Sequence, residues 1–137
     1  MEKARGYLNA GRHCSEGILL AVGKHYLGEI NAQVQCLSTA FAGGVGETNE
    51  ELCGALSGGL MVIGALYGRT DARTSDYRCM RLAAAYRARF LAHFGYTRCA
   101  DLKENWVGKK GQETCAELVA DAAEVLVEVL EGEEKFT

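Results

Sequence analysis

No proline interrupts the 137-residue chain, so helix ends have to be read from caps and glycines. No C-x-x-C pair occurs among its six cysteines, which excludes a zinc ribbon and a thioredoxin-type motif. Basic residues do not dominate either. Fifteen Lys and Arg stand against eighteen Asp and Glu, a formal charge of −3, so the basic footprint of a nucleic-acid protein is missing. The most apolar run, residues 60–67, is followed at once by Gly68-Arg69 and falls short of the roughly 20 residues that cross a bilayer. The start of the chain, Met1 to Ala10, lacks the apolar stretch of about 7–15 residues that marks a secretory leader. The expectation is a cytoplasmic protein with no membrane insertion and no nucleic-acid partner. In such a reducing compartment cysteines serve as metal ligands or redox thiols more often than as structural disulfides.

What the chain does contain is enough apolar material to fold unaided. Hydrophobic residues make up 48 % of it. A single domain over residues 1–137 would bury roughly 68–70 % of its unfolded surface. Disorder and collagen-like repeats are excluded by the same composition. Strand patterns are nearly absent, and the reading is all-α: one compact bundle of about five helices. Residues 15–28 and 30–40 suggest two of them. Thr48 and Glu51 have the spacing of a capping box and open a buried helix over 49–67, with Gly68 as its stop. A fourth helix, 75–94, carries Tyr86, Phe90 and Phe94 on its inner face and Gly95 at its end. A short irregular stretch with Cys99 and Trp106 follows. The last helix has an apolar stripe of Cys115, Leu118, Val119, Ala122, Leu126, Val129 and Leu130, with Glu113, Glu117, Asp121 and Glu124 mostly off it. Residues 69–110 hold ten basic and four acidic side chains and 111–137 hold one and eight, so the arginine-rich helix packs near the acidic one, or both faces are solvated, or the basic side is an anion-binding surface.

The cysteines carry the chemistry. Cys14, Cys53 and Cys115 fall at or near helix starts, Cys115 soon after Gly111. Free N–H groups and partial positive charge there favour a thiolate, which is both nucleophile and metal ligand. Cys99 lies beside Arg98, in a segment able to reach inward. Cys36 and Cys79 read as small core residues. Gly54 and Gly58 leave one side of the central helix without side chains. That side could take a neighbouring helix, a second copy in a homodimer, or a ligand, cluster or partner thiol beside Cys53. Gly43-Gly44-Val45-Gly46 lacks the lysine and the strand of a phosphate loop, and reads as a turn allowing close approach beside Cys53. His13, next to Cys14, is the best placed of three histidines to tune a thiol or to act as a ligand; His25 and His93 read as solvated.

At these residues the sequence resembles a known family, the redox-active proteins of about this length labelled by four cysteines and a C-G-A-x-x-G motif. The likeness runs through Cys14-Ser15-Glu16, Phe41 to Gly46, Cys53-Gly54-Ala55-Leu56-Ser57-Gly58, Leu66-Tyr67-Gly68, Cys99 and Cys115. It implies that Cys14, Cys53, Cys99 and Cys115 form the functional set and leaves Cys36 and Cys79 outside it. Two chemistries suit four dispersed thiols. A pair could cycle between dithiol and disulfide, with Cys53 or Cys14 attacking and a partner protein or small thiol as electron donor. Alternatively all four could hold zinc or an iron–sulfur cluster. A metal-stapled adaptor and a dimerisation module are the non-enzymatic readings.

Overall fold

The computed structural model describes residues 2–109 and 114–135, with side chains described as far as Gly132. Gly111 and Glu113, named above, lie outside the described residues. Seven helices occur among those described: α1 (Glu2–Asn9), α2 (Cys14–Leu27), α3 (Ala32–Thr39), α4 (Gly54–Tyr67), α5 (Tyr77–Phe94), α6 (Cys99–Asn105) and α7 (Cys115–Lys135). The class is all-α as expected, but five helices is an undercount. The two extra ones, α1 and α6, are eight and seven residues long, too short for a period to stand out. Extended pairing is limited, among the described residues, to isolated bridges such as the antiparallel one between Leu52 and Arg98.

Helix α2 sits at the centre because it is apolar nearly all round: Ser15 and Gly17 through Gly23 are buried. It packs against α1, α3, α4 and α7. Its closest partner is α4, and glycine makes the approach possible. A β-carbon on Gly58 would lie 2.5 Å from the Ser15 carbonyl oxygen and 2.6 Å from a methyl of Ile18. The small-residue side of α4 is therefore covered by α2 of the same chain. Around this pair the core is built from Ile18, Leu19, Leu56, Ile63, Phe90 and Leu126, each fully buried. Each such side chain contributes about 1.5–3 kcal/mol through removal from water. Tyr86, Phe90 and Phe94 face inward as expected, and α5 ends at Gly95 in the left-handed conformation. The arginine-rich and acidic helices do pack together, with Arg89 pairing with Glu128 across α5 and α7.

Two local expectations are corrected. The central helix opens at Gly54, five residues later than the Thr48 capping box implied. Thr48 instead turns its hydroxyl back, donating to the carbonyls of Gly44 (2.8 Å) and Val45 (2.9 Å). The cause is a left-handed stretch: φ is +60° at Gly43, +66° at Gly44, +71° at Val45, +60° at Gly46, +62° at Glu47 and +64° at Asn49. Val45 is β-branched, so its place there is a real steric outlier, costing about 1–2 kcal/mol. The second correction concerns Cys36. It is exposed rather than buried, because α3 lies at the edge of the molecule with only Ser38 fully covered. Cys79 is half-buried against the core. Among the described residues no helix is long and apolar enough to cross a membrane.

Candidate functional site

Each of the four cysteines singled out above stands at a helix start. Cys14 is the first residue of α2, Cys53 caps α4, Cys99 opens α6 and Cys115 opens α7. These four helix starts point at one cavity of about 420 Å³, and all four cysteines line it. Cys36 and Cys79 do not. All six cysteines are free thiols.

Backbone hydrogen bonding explains the convergence. The segment before α4 runs alongside the segment before α6. Cys53 N–H donates to the Thr97 carbonyl at 2.8 Å, Cys99 N–H to Glu51 at 2.9 Å and Ala100 N–H to Asn49 at 2.9 Å. Arg98 clamps the same edge, donating to the Glu50 carbonyl and carboxylate, both at 3.1 Å. Cys53 and Cys99 are thereby held on neighbouring backbone. Cys14 arrives from the other side. A β-carbon on Gly54 would collide with the Cys14 sulfur, so the missing side chain is the space the thiol occupies. At α2 the His13 N–H donates to Glu16 Oε1 at 3.0 Å, and the Thr39 hydroxyl donates to Oε2 at 2.9 Å. Burial alone would push the Glu16 carboxyl up, but these donors outweigh it and hold the group below the usual carboxylate range.

The glycine turn does allow close approach, but to a different thiol from the one expected. A β-carbon on Gly44 would sit 2.6 Å from Cβ of Cys99, so the loop packs on Cys99 rather than on Cys53. Asn49, also left-handed, aims its amide oxygen at two groups. It accepts from the Cys99 thiol at 3.4 Å and from the Lys103 ammonium at 3.0 Å. Arg12, His13, Glu47 and Lys103 complete the polar lining. His13 lies 3.7 Å from Glu47 and Arg12 lies 3.7 Å from Glu16. Sequence reading missed Asn49 and Lys103. The signal for Lys103 was its place four residues after Cys99, which brings the two together only once α6 is recognised as a helix. His25 and His93 are exposed, as read.

At Cys53 and Cys115 the electrostatics run opposite to the expectation for helix starts. Cys53 is pushed far up by burial, then by repulsion from Cys14 and Cys99, against the opposing N–H groups of Ala55 and Leu56. Burial also raises Cys99 and Cys115, partly offset by the Lys103 ammonium. The helix N–H groups do favour the anion, but the loss of water around a buried sulfur is the larger effect. Cys14 is the one thiol whose charge bears on all three others.

Four thiols have the right donor chemistry for zinc or an iron–sulfur centre. As placed, however, no three Cys, His, Asp or Glu side chains among the described residues converge to hold a metal ion. The described residues therefore do not form a ligand cage.

Comparison with family models matches residues 12–129 to the family described as "Putative redox-active protein (C_GCAxxG_C_C)". The chain belongs to this family. The matched span contains all four pocket cysteines, and its central element reads Cys53-Gly54-Ala55-Leu56-Ser57-Gly58. The family's description names redox activity as its character and specifies no reaction. No match was found among curated proteins or among solved structures.

Proposed function

We propose that the protein is a thiol–disulfide oxidoreductase acting in a reducing, cytoplasmic setting. In this reading Cys14 is the attacking sulfur and Cys53 the resolving one. The observation that carries the reading is the convergence of four thiols on one cavity, with Cys14 half-buried and adjacent to the rest. Accessibility separates the two candidates for attack. Cys53 is only 6 % exposed and its burial pushes the thiol up, which favours Cys14 as the sulfur that meets the substrate first. Cys14 touches Gly54, next in the chain to Cys53, and is the strongest charged neighbour of that thiol.

The chemistry then proceeds in order. The Cys14 thiolate attacks one sulfur of a substrate disulfide, forming a mixed disulfide and releasing the other sulfur as a thiolate that takes a proton from water. Cys53 then attacks the Cys14 sulfur, its proton passing to the departing sulfur, which closes the Cys14–Cys53 disulfide and expels the second half of the substrate as a thiol. Two electrons have passed from the protein to the substrate. An external thiol or dithiol, small or carried by a partner protein, returns them by the reverse exchange.

Single substitutions test the assignment. With a disulfide substrate, Cys53→Ser should accumulate the mixed disulfide on Cys14, seen as one adduct by intact mass. Cys14→Ser should form none, because the attacking sulfur is gone. An adduct on Cys53 in the Cys14→Ser protein would overturn the order of attack. Near-stoichiometric zinc, or iron with acid-labile sulfide, in protein purified without oxygen would overturn the dithiol reading in favour of a bound centre.

A further inference from the structure

The dithiol reading uses two of the four pocket thiols and leaves Cys99 and Cys115, which line the same cavity, without a task. The backbone restricts how the four can pair. Leu52 and Arg98 face each other in the antiparallel bridge, with Cys53 N–H donating to Thr97 and Cys99 N–H to Glu51. Side chains alternate along such segments, so the exposed Leu52 and Arg98 point outward and the buried Cys53 and Cys99 both point inward. The two cysteines are diagonal neighbours, for which the separation is roughly 7–8 Å, beyond the usual Cα span of a disulfide. Cys14 enters from the other side, over Gly54. Its charge is felt by Cys53, Cys99 and Cys115, and that of Cys115 is felt by Cys99. Cys14 is therefore the common neighbour, and Cys99 and Cys115 are left to each other. The Lys103 ammonium, one turn after Cys99 on α6, favours the thiolate at both of these positions.

We infer that the four thiols form a two-stage relay, in which the disulfide made at Cys14 and Cys53 is passed on to Cys99 and Cys115. The relay rests on the dithiol reading and extends its capacity from two electrons to four. Once the Cys14–Cys53 disulfide has closed, Cys99 attacks the Cys14 sulfur. The Cys14–Cys53 bond breaks, Cys53 leaves as a thiol with the proton from Cys99, and a Cys14–Cys99 disulfide forms. Cys115 then attacks the Cys99 sulfur, and its proton passes to Cys14 as that sulfur leaves. The product is a Cys99–Cys115 disulfide with Cys14 and Cys53 reduced again, ready for a second substrate disulfide. The four thiols supply all four electrons, and the external thiol donor restores the second pair by the reverse route through Cys14. Cys53 resolves ahead of Cys99, whose thiol is held in its hydrogen bond to Asn49.

The test starts from reduced protein carrying Cys36→Ser and Cys79→Ser, so that only the pocket thiols count. With a large excess of bis(2-hydroxyethyl) disulfide it should lose the mass of four hydrogens and keep no adduct. Peptide mapping should then pair Cys14 with Cys53 and Cys99 with Cys115. Cys14→Ser should slow formation of the Cys99–Cys115 disulfide by at least about tenfold, because the relay starts at that sulfur. In the Cys53→Ser protein the Cys14 adduct should build up and then decay, as Cys99 expels the bound half of the substrate. Adding Cys99→Ser should make that adduct persist. Loss of only two hydrogens, with Cys99 and Cys115 still open to alkylation after denaturation, would overturn the relay and leave the dithiol reading standing. Undiminished Cys99–Cys115 formation in Cys14→Ser would overturn it as well, since that pair would then react by itself. An adduct that decays equally with and without Cys99 would remove Cys99 as the attacking sulfur. Failure of any pocket thiol to be oxidised would overturn the dithiol reading itself.

Discussion

Of the clefts in this molecule, two of similar size make a useful pair: about 420 Å³ at the four helix starts and about 380 Å³ between α5 and α7. The second is the more highly charged, lined by Arg89, His93, Asp121, Glu124 and Glu128. Its charges answer one another: Arg89 pairs with Glu128, and His93 lies 3.8 Å from Asp121. In the first cleft the functional groups are thiols facing a shared space, two of them buried. Volume and charge alone would rank the clefts together. What separates them is whether the reactive groups have been satisfied by the fold. The α5–α7 groove reads as the seam where a basic and an acidic helix meet, and the thiol pocket as the place where the fold leaves chemistry to be done.

The largest expected effect comes from the glycines on which the thiol pocket is built. Gly58→Ala places a methyl against the backbone of Ser15, which cannot swing aside as a side-chain tip would. Helix α2 must shift, and overpacking of this kind costs roughly 2 kcal/mol. Gly64 lies on the same helix, exposed, with open space where a β-carbon would go. There the same substitution should stabilise by about 0.5–1 kcal/mol through helix propensity. Denaturant midpoints of the two variants should therefore move in opposite directions. Movement of both in the same direction would mean that α2 and α4 do not approach as closely as described.

A smaller effect concerns pH. Burial raises Cys53 in the folded protein above its ordinary value of 9.0, whereas the unfolded chain keeps that value. Below about pH 9 both states hold the proton and the thiol adds no slope. Above it the unfolded chain releases the proton first, so stability falls by up to about 1.4 kcal/mol per pH unit from this thiol. Cys99 and Cys115 are shifted in the same direction and add to the slope. Unfolding free energy measured from pH 8 to 11 should fall less steeply in Cys53→Ser than in the parent. Parallel curves would show that Cys53 is not desolvated. Variants in the α5–α7 groove should leave the slope unchanged, which keeps the two clefts distinguishable by titration.

Much of this contrast could be read before any coordinates. The positions of Cys14, Cys53 and Cys115 relative to caps and apolar stripes put them at helix starts, and the charge asymmetry of 69–110 against 111–137 brought α5 to α7. Gly54 and Gly58 pointed to a helix side stripped of side chains, and its occupants proved to be both α2 and the Cys14 sulfur. The loop from Gly43 to Asn49 was not legible. Left-handed conformation at Val45 and Glu47 is set by the surrounding hydrogen bonds and runs against local preference, so the Thr48 spacing suggested a cap where none forms. That same loop carries Asn49, and α6, read as irregular, carries Lys103. The thiol ionisation was misread for a related reason. A helix start is visible in sequence, whereas the depth at which it is buried is a property of the whole packing.

The smallest expected effect is the one that tests whether the α5–α7 cleft is only a seam. Arg89 and Glu128 are about half exposed, with side-chain exposures of 49 % and 59 %. An ion pair at that exposure is well screened and contributes about 0.2–1 kcal/mol. A double-mutant cycle on Arg89→Ala and Glu128→Ala should return a coupling in that range, reduced in high salt. The rate of adduct formation at Cys14 should stay at the parent value in all three variants. A coupling near zero with unchanged thiol chemistry would still describe a solvated seam. A marked fall in Cys14 reactivity would instead join the two clefts, because α7 runs from the groove to Cys115 and could transmit a shift of its axis to the pocket.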